Sequence, residues 1–333
     1  MNKFDKISAA ISGTGRGPLP YSFWSHFPEI DLDPSLLADR TAELVDTYDI
    51  DFIKTAPNGM FSVEDYGCVC DYSEIKRGGV ARIVKHPVES IADWGSIPTV
   101  ECDEGAFKRE LASLKRLLDK VRNTAPVIAT AFSPLTTAAK MSNKRIFQHI
   151  QEKDTTLVHR ALASIAETTS AYIQEAIRLG ASGVFYAIQV GSTDVIDEQR
   201  FREYGQRYDE IALKGCAKGW FNVVHMHGNS IMFDIMKDYP VNVLNWHISE
   251  TPPTIREARQ KTSKCFMGGI NRMDVTTDNR ERLAEQIRKV FEDSEGSKQI
   301  ITPGCVIRYP FKADVLQYLK GLIDMHNKEV RST

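Results

Sequence analysis

Eight short runs of β-branched and aromatic residues, separated by segments of helical periodicity, constrain this chain more than any other feature. They are "PYSFWSHF" (20–27), "DFIKTAP" (51–57), "APVIATAFS" (125–133), "SGVFYAIQV" (182–190), "WFNVVHMHG" (220–228), "VNVLNWHIS" (241–249), "KCFMGGIN" (264–271) and "QIITPGC" (299–305). Between them lie "DPSLLADRTAELVDTY", with an Asp-Pro-Ser start signal, and "EGAFKRELASLKRLLDKV". Further on come "LASIAETTSAYIQEAIRLG", with a glycine stop, "TPPTIREARQKT" and "DNRERLAEQIRKVFED". Apolar strands alternating with helices build parallel sheets, and eight strand–helix units are the number that closes a (β/α)8 barrel. The expected fold class is therefore α/β, a single TIM barrel over residues 1–333. A doubly wound sheet is the competitor, but it usually carries a Gly-rich phosphate turn after its first strand. Here "GTGRGP" precedes that strand and opens no helix.

Charge narrows the partners. A formal net charge of -2 gives no electrostatic reason to expect nucleic acid or an anionic membrane surface. "MNKFDKISAAISG" lacks the apolar core of a signal peptide, and no run approaches the ~18 apolar residues of a spanning helix. Six cysteines are too sparse for a disulfide scaffold at this length, so reduced thiols and a cytoplasmic location are expected. A small molecule is the expected ligand.

Barrel enzymes assemble their sites where the C-terminal ends of the strands converge. Those ends carry Trp24 and His26, Asn58, Phe132, Gln189, His225 and His227, His247, Arg272, and Cys305. In "VVHMHGN" the two histidines stand at i and i+2 of a strand and so face the same way. Such a pair can supply two zinc ligands, and Cys305 after the Pro-Gly turn a third, leaving one position open. The alternative is a buried histidine satisfied by a backbone carbonyl, beside a cysteine acting as a small hydrophobe. His247 fits a fourth ligand, a base, a stacking partner or a core histidine behind Trp246. Cys68 and Cys70 in "YGCVC" lie on the same side of the barrel and form a weaker metal signal. Trp24, His26, Asn58, Phe132, Tyr186 and Gln189 are the expected pocket lining. Arg272 and Arg308 suit a carboxylate or phosphate, or else simply solvent.

The ordered segments "VEDYG", "HPVESIADWGSIP", "EGAFKRELASL", "PVIATAFSPLTTA", "FREYGQRYDEIAL", "HMHGN" and "ITPGC" resemble the uroporphyrinogen decarboxylase superfamily from about residue 5 to residue 325. That superfamily also holds the zinc-dependent methyltransferases that act with corrinoid proteins. The resemblance implies one distorted (β/α)8 barrel, with dimers common. True decarboxylases carry an arginine-rich stretch after the first strand to clamp carboxylates, for which the bidentate guanidinium fork is suited. The matching segment here, "FWSHFPEIDLDP", has no arginine and carries Glu29, Asp31 and Asp33. Their catalytic aspartate has no clear counterpart in "DFIKTAPNG", and Cys305 replaces the histidine of a "GHG" motif.

The methyltransferase branch is the better likeness. Its members bind zinc through His-x-Cys and a distant Cys, which match His225, His227 and Cys305 with His in place of the middle Cys. Zinc there lowers the pKa of a thiol acceptor, and the methyl group passes to or from a corrinoid carried by a separate protein. Two neutral imidazoles and one thiolate leave the centre near +1, which also keeps open another acceptor, hydrolysis or another metal. The resemblance thus implies a metal-dependent methyltransferase or demethylase with His225, His227 and His247 as catalytic groups. A carboxy-lyase using His225 and His227 as acid–base groups, or a non-catalytic ligand-binding barrel, are the alternatives.

Overall fold

The computed structural model describes residues 1–14, 17–75 and 81–332. Nine strands are present among them: β1 (Ile53–Lys54), β2 (Val69–Asp71), β3 (Arg82–Lys85), β4 (Val127–Phe132), β5 (Gly183–Ile188), β6 (Val223–Met226), β7 (Val243–Trp246), β8 (Cys265–Ile270) and β9 (Gln299–Pro303). Seven of them form one parallel sheet in the order β1-β4-β5-β6-β7-β8-β9. Every neighbour in that order is also the next barrel strand in sequence, as right-handed strand–helix crossovers produce.

The eighth place is taken by residues 20–25, which bridge the two edges without forming a regular strand. Tyr21 pairs with Ile301 and Ser25 with Ile307, both parallel. On the other side Asp51 N donates to Tyr21 O at 2.8 Å, and Ser22 Oγ donates to Phe52 O at 2.7 Å. Pro18 and Pro20 have no N–H to give, so the ladder stays incomplete while the ring still closes. The expected α/β barrel is therefore present, with shorter strands than the apolar runs suggested.

A small antiparallel hairpin of β2 and β3 follows the first strand, an element that alternation counting does not reveal. The helices begin where their capping chemistry dictates. Asp33 accepts from the amides of Ser35 and Leu36 to open the helix Pro34–Tyr48. Thr254 and Glu257 form a capping box, so the helix begins at Ile255, after Pro252 and Pro253. Thr156–Leu179 is longer than the apolar period indicated and ends at Gly180.

Strand side chains divide between two cores. Ile53, Tyr186, Val224, Leu244, Phe266 and Ile301 point outward and pack under the helices. Inside the ring, Phe52, Ile128, Phe185, Phe221, Val223, Val243, Cys265 and Ile300 form a second cluster with Trp24. Ile7, Ala10 and Ile11 of the helix Lys3–Ser12 join it. These contacts lie at the strand starts, so the N-terminal helix plugs one end of the barrel. Polar side chains are left to the other end. Among the described residues no helix is long and apolar enough to cross a membrane.

Candidate metal centre

β6 and β7 run in register, with His225 opposite Asn245 and Met226 opposite Trp246. His227 and His247 each follow one residue past their strand, so the register brings them side by side. Ring centroids are 5.7 Å apart for His225 and His227, 5.9 Å for His225 and His247, and 5.1 Å for His227 and His247. Cys305 arrives two residues past β9, its sulfur 4.0 Å from His227 Nδ1. Gly304 makes this approach possible, because a Cβ there would lie 2.8 Å from the His247 Cα. One ligand atom from each of His225, His227, His247 and Cys305 lies within 4.8 Å of all the others. His225 and His247 are buried, whereas His227 and Cys305 are half-buried, so the cluster opens on one side.

Hydrogen bonds fix which nitrogen His225 offers. Asn245 Nδ2 donates to Met267 O at 2.8 Å, which orients the amide and leaves its Oδ1 as an acceptor. His225 Nδ1 lies 2.5 Å from that oxygen and must carry the proton. Nε2 is then an unprotonated lone pair, the state a metal ligand needs. His247 Nδ1 lies 3.6 Å from a Glu250 carboxylate oxygen, and its Nε2 is buried without a hydrogen-bond partner. An orphaned ring nitrogen of this kind is costly unless something binds it. Two or three imidazoles and one thiolate are a donor set suited to zinc, so these residues fit a metal.

Electrostatics points the same way. Burial opposes the Cys305 thiolate, but the His225, His227 and His247 imidazoles clustered around it outweigh burial and hold the thiol well below its ordinary range. Burial would also lower His247, yet the negative charges of Cys305 and Glu250 beside it raise it to about 9. Burial lowers His225.

The other expected site residues divide into groups. Trp24 is inside the barrel, 5.8 Å from the Phe185 ring and 6.4 Å from Phe52, with its Nε1 unpartnered. His26 is half-buried. Burial and then nearby Lys54 hold it down to about 4. Asn58 is tied to Asp31 at 3.1 Å and to the Met60 amide at 2.9 Å. Phe132 lies under the Lys140 ammonium at 3.9 Å. Gln189 is exposed, and its amide donates to Thr136 Oγ1. Arg272 is half-buried with Nε unpartnered and acts on Glu250. Arg308 is exposed.

Tyr186 requires a correction. It is fully buried and points away from the lumen, its hydroxyl donating to Asp209 at 2.6 Å, because strand alternation sends Phe185 and Ala187 inward instead. Cys68 and Cys70 also stand apart from the four-ligand cluster.

Sequence reasoning missed the supports. Asn245 and Glu250 carry no motif, and only their spacing from His247 could have drawn attention to them. It also missed Lys54, whose side chain enters the barrel. The Lys54 ammonium sits 4.9 Å from the Phe185 ring centroid and 5.9 Å from that of Trp24. Such contacts are worth roughly 0.5–2 kcal/mol, against several kcal/mol for burying an ammonium. Burial lowers its pKa to about 8, and Cys305 raises it.

A family model described as uroporphyrinogen decarboxylase (URO-D) matches residues 24–323. The uroporphyrinogen decarboxylase of Rhodococcus erythropolis is 24% identical over 280 residues, which span 80% of this chain and 74% of that protein. The methylcobamide:CoM methyltransferase MtaA of Methanosarcina barkeri is 23% identical over 237 residues, 69% of this chain and 68% of its own. Among solved structures, a methyltransferase from Methanosarcina mazei superposes with a TM-score of 0.85 over 98% of this chain and 99% of its own, at 16% identity. A B12-independent methionine synthase from Shewanella sp. W3-18-1 follows at 0.60, over 96% of this chain and 98% of its own, at 15% identity. At such identities these superpositions establish the barrel fold.

Proposed function

The chain belongs to the uroporphyrinogen decarboxylase family, and from that premise we propose that it is a metal-dependent methyltransferase or demethylase working with a corrinoid on a separate protein. The observation that carries this reading is the convergence of three imidazoles and one thiol within 4.8 Å, one ring nitrogen of which is buried and unsatisfied. Likeness to the M. barkeri methyltransferase supports it, and so does the acidic segment where a porphyrinogen clamp would need arginines.

His225 Nε2, His227 Nδ1 and Cys305 Sγ would hold the metal. Zinc bound there would supply the Lewis acidity that keeps an acceptor thiol as its thiolate at neutral pH. His247, kept protonated by Cys305 and by Glu250 beside Nδ1, is placed as a cationic hydrogen-bond donor that favours the acceptor's thiolate over its thiol. Asn245 keeps His225 in the tautomer that leaves the Nε2 electron pair free for a cation. The plugged far end of the barrel leaves the mouth as the route for both small molecule and corrinoid.

Metal analysis of untagged protein tests the reading. Near-stoichiometric zinc that vanishes in His225→Ala and Cys305→Ser is expected, together with methyl transfer between a thiol and methylcobalamin. Folded, metal-free protein that turns over uroporphyrinogen III would replace it with a carboxy-lyase, which the R. erythropolis likeness favours.

A further inference from the structure

Lys54 is an unpaired cation inside the barrel. It stands on β1 two residues after Phe52, and strand alternation turns both side chains inward. Only 5% of the residue is exposed, and no hydrogen-bond or ion-pair acceptor reaches its ammonium among the described residues. Two half-buried lysines, by contrast, have acceptors. Lys6 pairs with Asp51 at 2.7 Å, and Lys140 donates to Gly59 O at 2.9 Å. Around Lys54 stand the faces of Trp24 and Phe185, and nearby is His26. Phe185 is itself stacked on His225 at 5.2 Å, so Lys54 sits one ring away from the His/Cys cluster.

The charge balance sharpens the point. Among the described residues, the ionised group that bears on Lys54 is Cys305. A divalent ion held by Cys305 and neutral imidazoles would cancel that thiolate and leave a net positive centre beside a second positive charge. Glu250 lies on the His247 side of that centre, so Lys54 would be left without a counter-charge of its own, and a buried cation without one is strongly disfavoured. An anion entering with the small molecule restores neutrality.

We propose that Lys54 is the residue that recognises the substrate's own anionic group, a carboxylate or sulfonate, while the substrate's reacting end meets His225, His227, His247 and Cys305. The inference rests on the proposed reading for the nature of that reacting end, not for the anion. It selects short, negatively charged molecules with the anion one aromatic ring's width from the reactive atom.

Calorimetric titration of the full-length, zinc-loaded protein with three probes tests it: 3-mercaptopropionate, 2-mercaptoethanol and ethanesulfonate, the last a thiol-free, poor zinc ligand. The native protein is expected to bind the anionic thiol at least tenfold more tightly than the neutral one, and to bind ethanesulfonate. Lys54→Met and Lys54→Gln, with zinc content and circular dichroism unchanged, should lose both properties, and Lys54→Arg should recover part of each. An anion preference that survives in Lys54→Met or Lys54→Gln overturns the assignment, as does a native protein indifferent to charge. Ethanesulfonate binding that depends on Lys54, without methyl transfer to any thiol, upholds the assignment and rejects the methyl-transfer reading.

Discussion

His225 Nδ1 stands 2.5 Å from Asn245 Oδ1, across a register that sets the two residues directly opposite each other on β6 and β7. The amide cannot rotate to offer its NH2 instead, because that group is already committed to Met267 O. One hydrogen bond in the sheet below thus decides the protonation state of a ring in the site above. Removing such a support typically weakens metal binding 10–100-fold. Asn245→Ala is therefore expected to weaken zinc binding by that factor in chelator competition while the barrel stays folded. Unchanged affinity would show that the His225 tautomer does not depend on Asn245.

A second expectation concerns thiol chemistry. Burial raises the thiol pKa of Cys68, Cys102 and Cys265 to about 12 and pushes Cys70 and Cys216 up as well. Cys305 alone among the six is held low, by three imidazoles that outweigh its burial. Only the thiolate is nucleophilic, so in metal-free protein at pH 6.5 iodoacetamide should label Cys305 well ahead of the other five. Added zinc should protect it. Peptide mass spectrometry that finds Cys70, also half-buried, labelled first would contradict this ordering.

Tyr186 tests the division between the two faces of a strand. Its hydroxyl and that of Tyr239 both donate to the buried Asp209, at 2.6 and 2.8 Å, on the helix side of the sheet. Tyr186→Phe leaves one carboxyl oxygen without its donor, at a cost of about 1–3 kcal/mol. Denaturant unfolding should register that loss, whereas zinc content and the KM of the substrate should not move. A changed KM would return Tyr186 to the pocket.

These placements show what the sequence made legible. Strand count, barrel closure and the meeting of His225, His227 and Cys305 follow from period-two alternation and from the rule that strand ends converge. Tyr186 was misplaced because a run of six buried residues, Gly183–Ile188, has no polar alternation to say which face looks inward. Lys54 was missed for the opposite reason. A lysine in an apolar run reads as a strand end reaching solvent, and only the closed ring shows that its stem points to the axis. Asn245 and Glu250 act through distances that no spacing rule encodes.

Gly304 ties the cysteine loop to the histidines. A Cβ at that position would fall 2.8 Å from the His247 Cα and 3.1 Å from Trp246 O, both backbone atoms that cannot turn aside. Gly304→Ala must push the Cys305 loop off the sheet, and overpacking of this kind costs roughly 1–3 kcal/mol. The expected signature is joint: a lower unfolding midpoint and loss of zinc. Native zinc content in Gly304→Ala would mean that Cys305 reaches the histidines by a looser path.

Away from the site, Glu110 makes stability depend on pH. It lies on the buried face of the helix Gly105–Val121 and is only 4% exposed. Burial raises its pKa to about 8, although Arg109, which donates to it at 3.2 Å, pulls the other way. In the unfolded chain a glutamate titrates near ~4.3. Below that value both states hold the proton, and the preference of the folded protein for the protonated form is fully expressed. Between about 4.3 and 8 the native state keeps a proton that the unfolded state has released, so stability falls as pH rises, by up to ~1.4 kcal/mol per pH unit. Asp209, raised to about 7 by burial, adds a slope of the same sign over the lower part of that window. Glu110→Gln removes one of these contributions and keeps the side-chain volume. The gap in unfolding free energy between variant and native protein should therefore shift steadily in the variant's favour from pH 5 to pH 8, measured by urea titration at each pH. A gap that stays constant across this range would mean that Glu110 is ionised in the folded protein, with Arg109 outweighing burial.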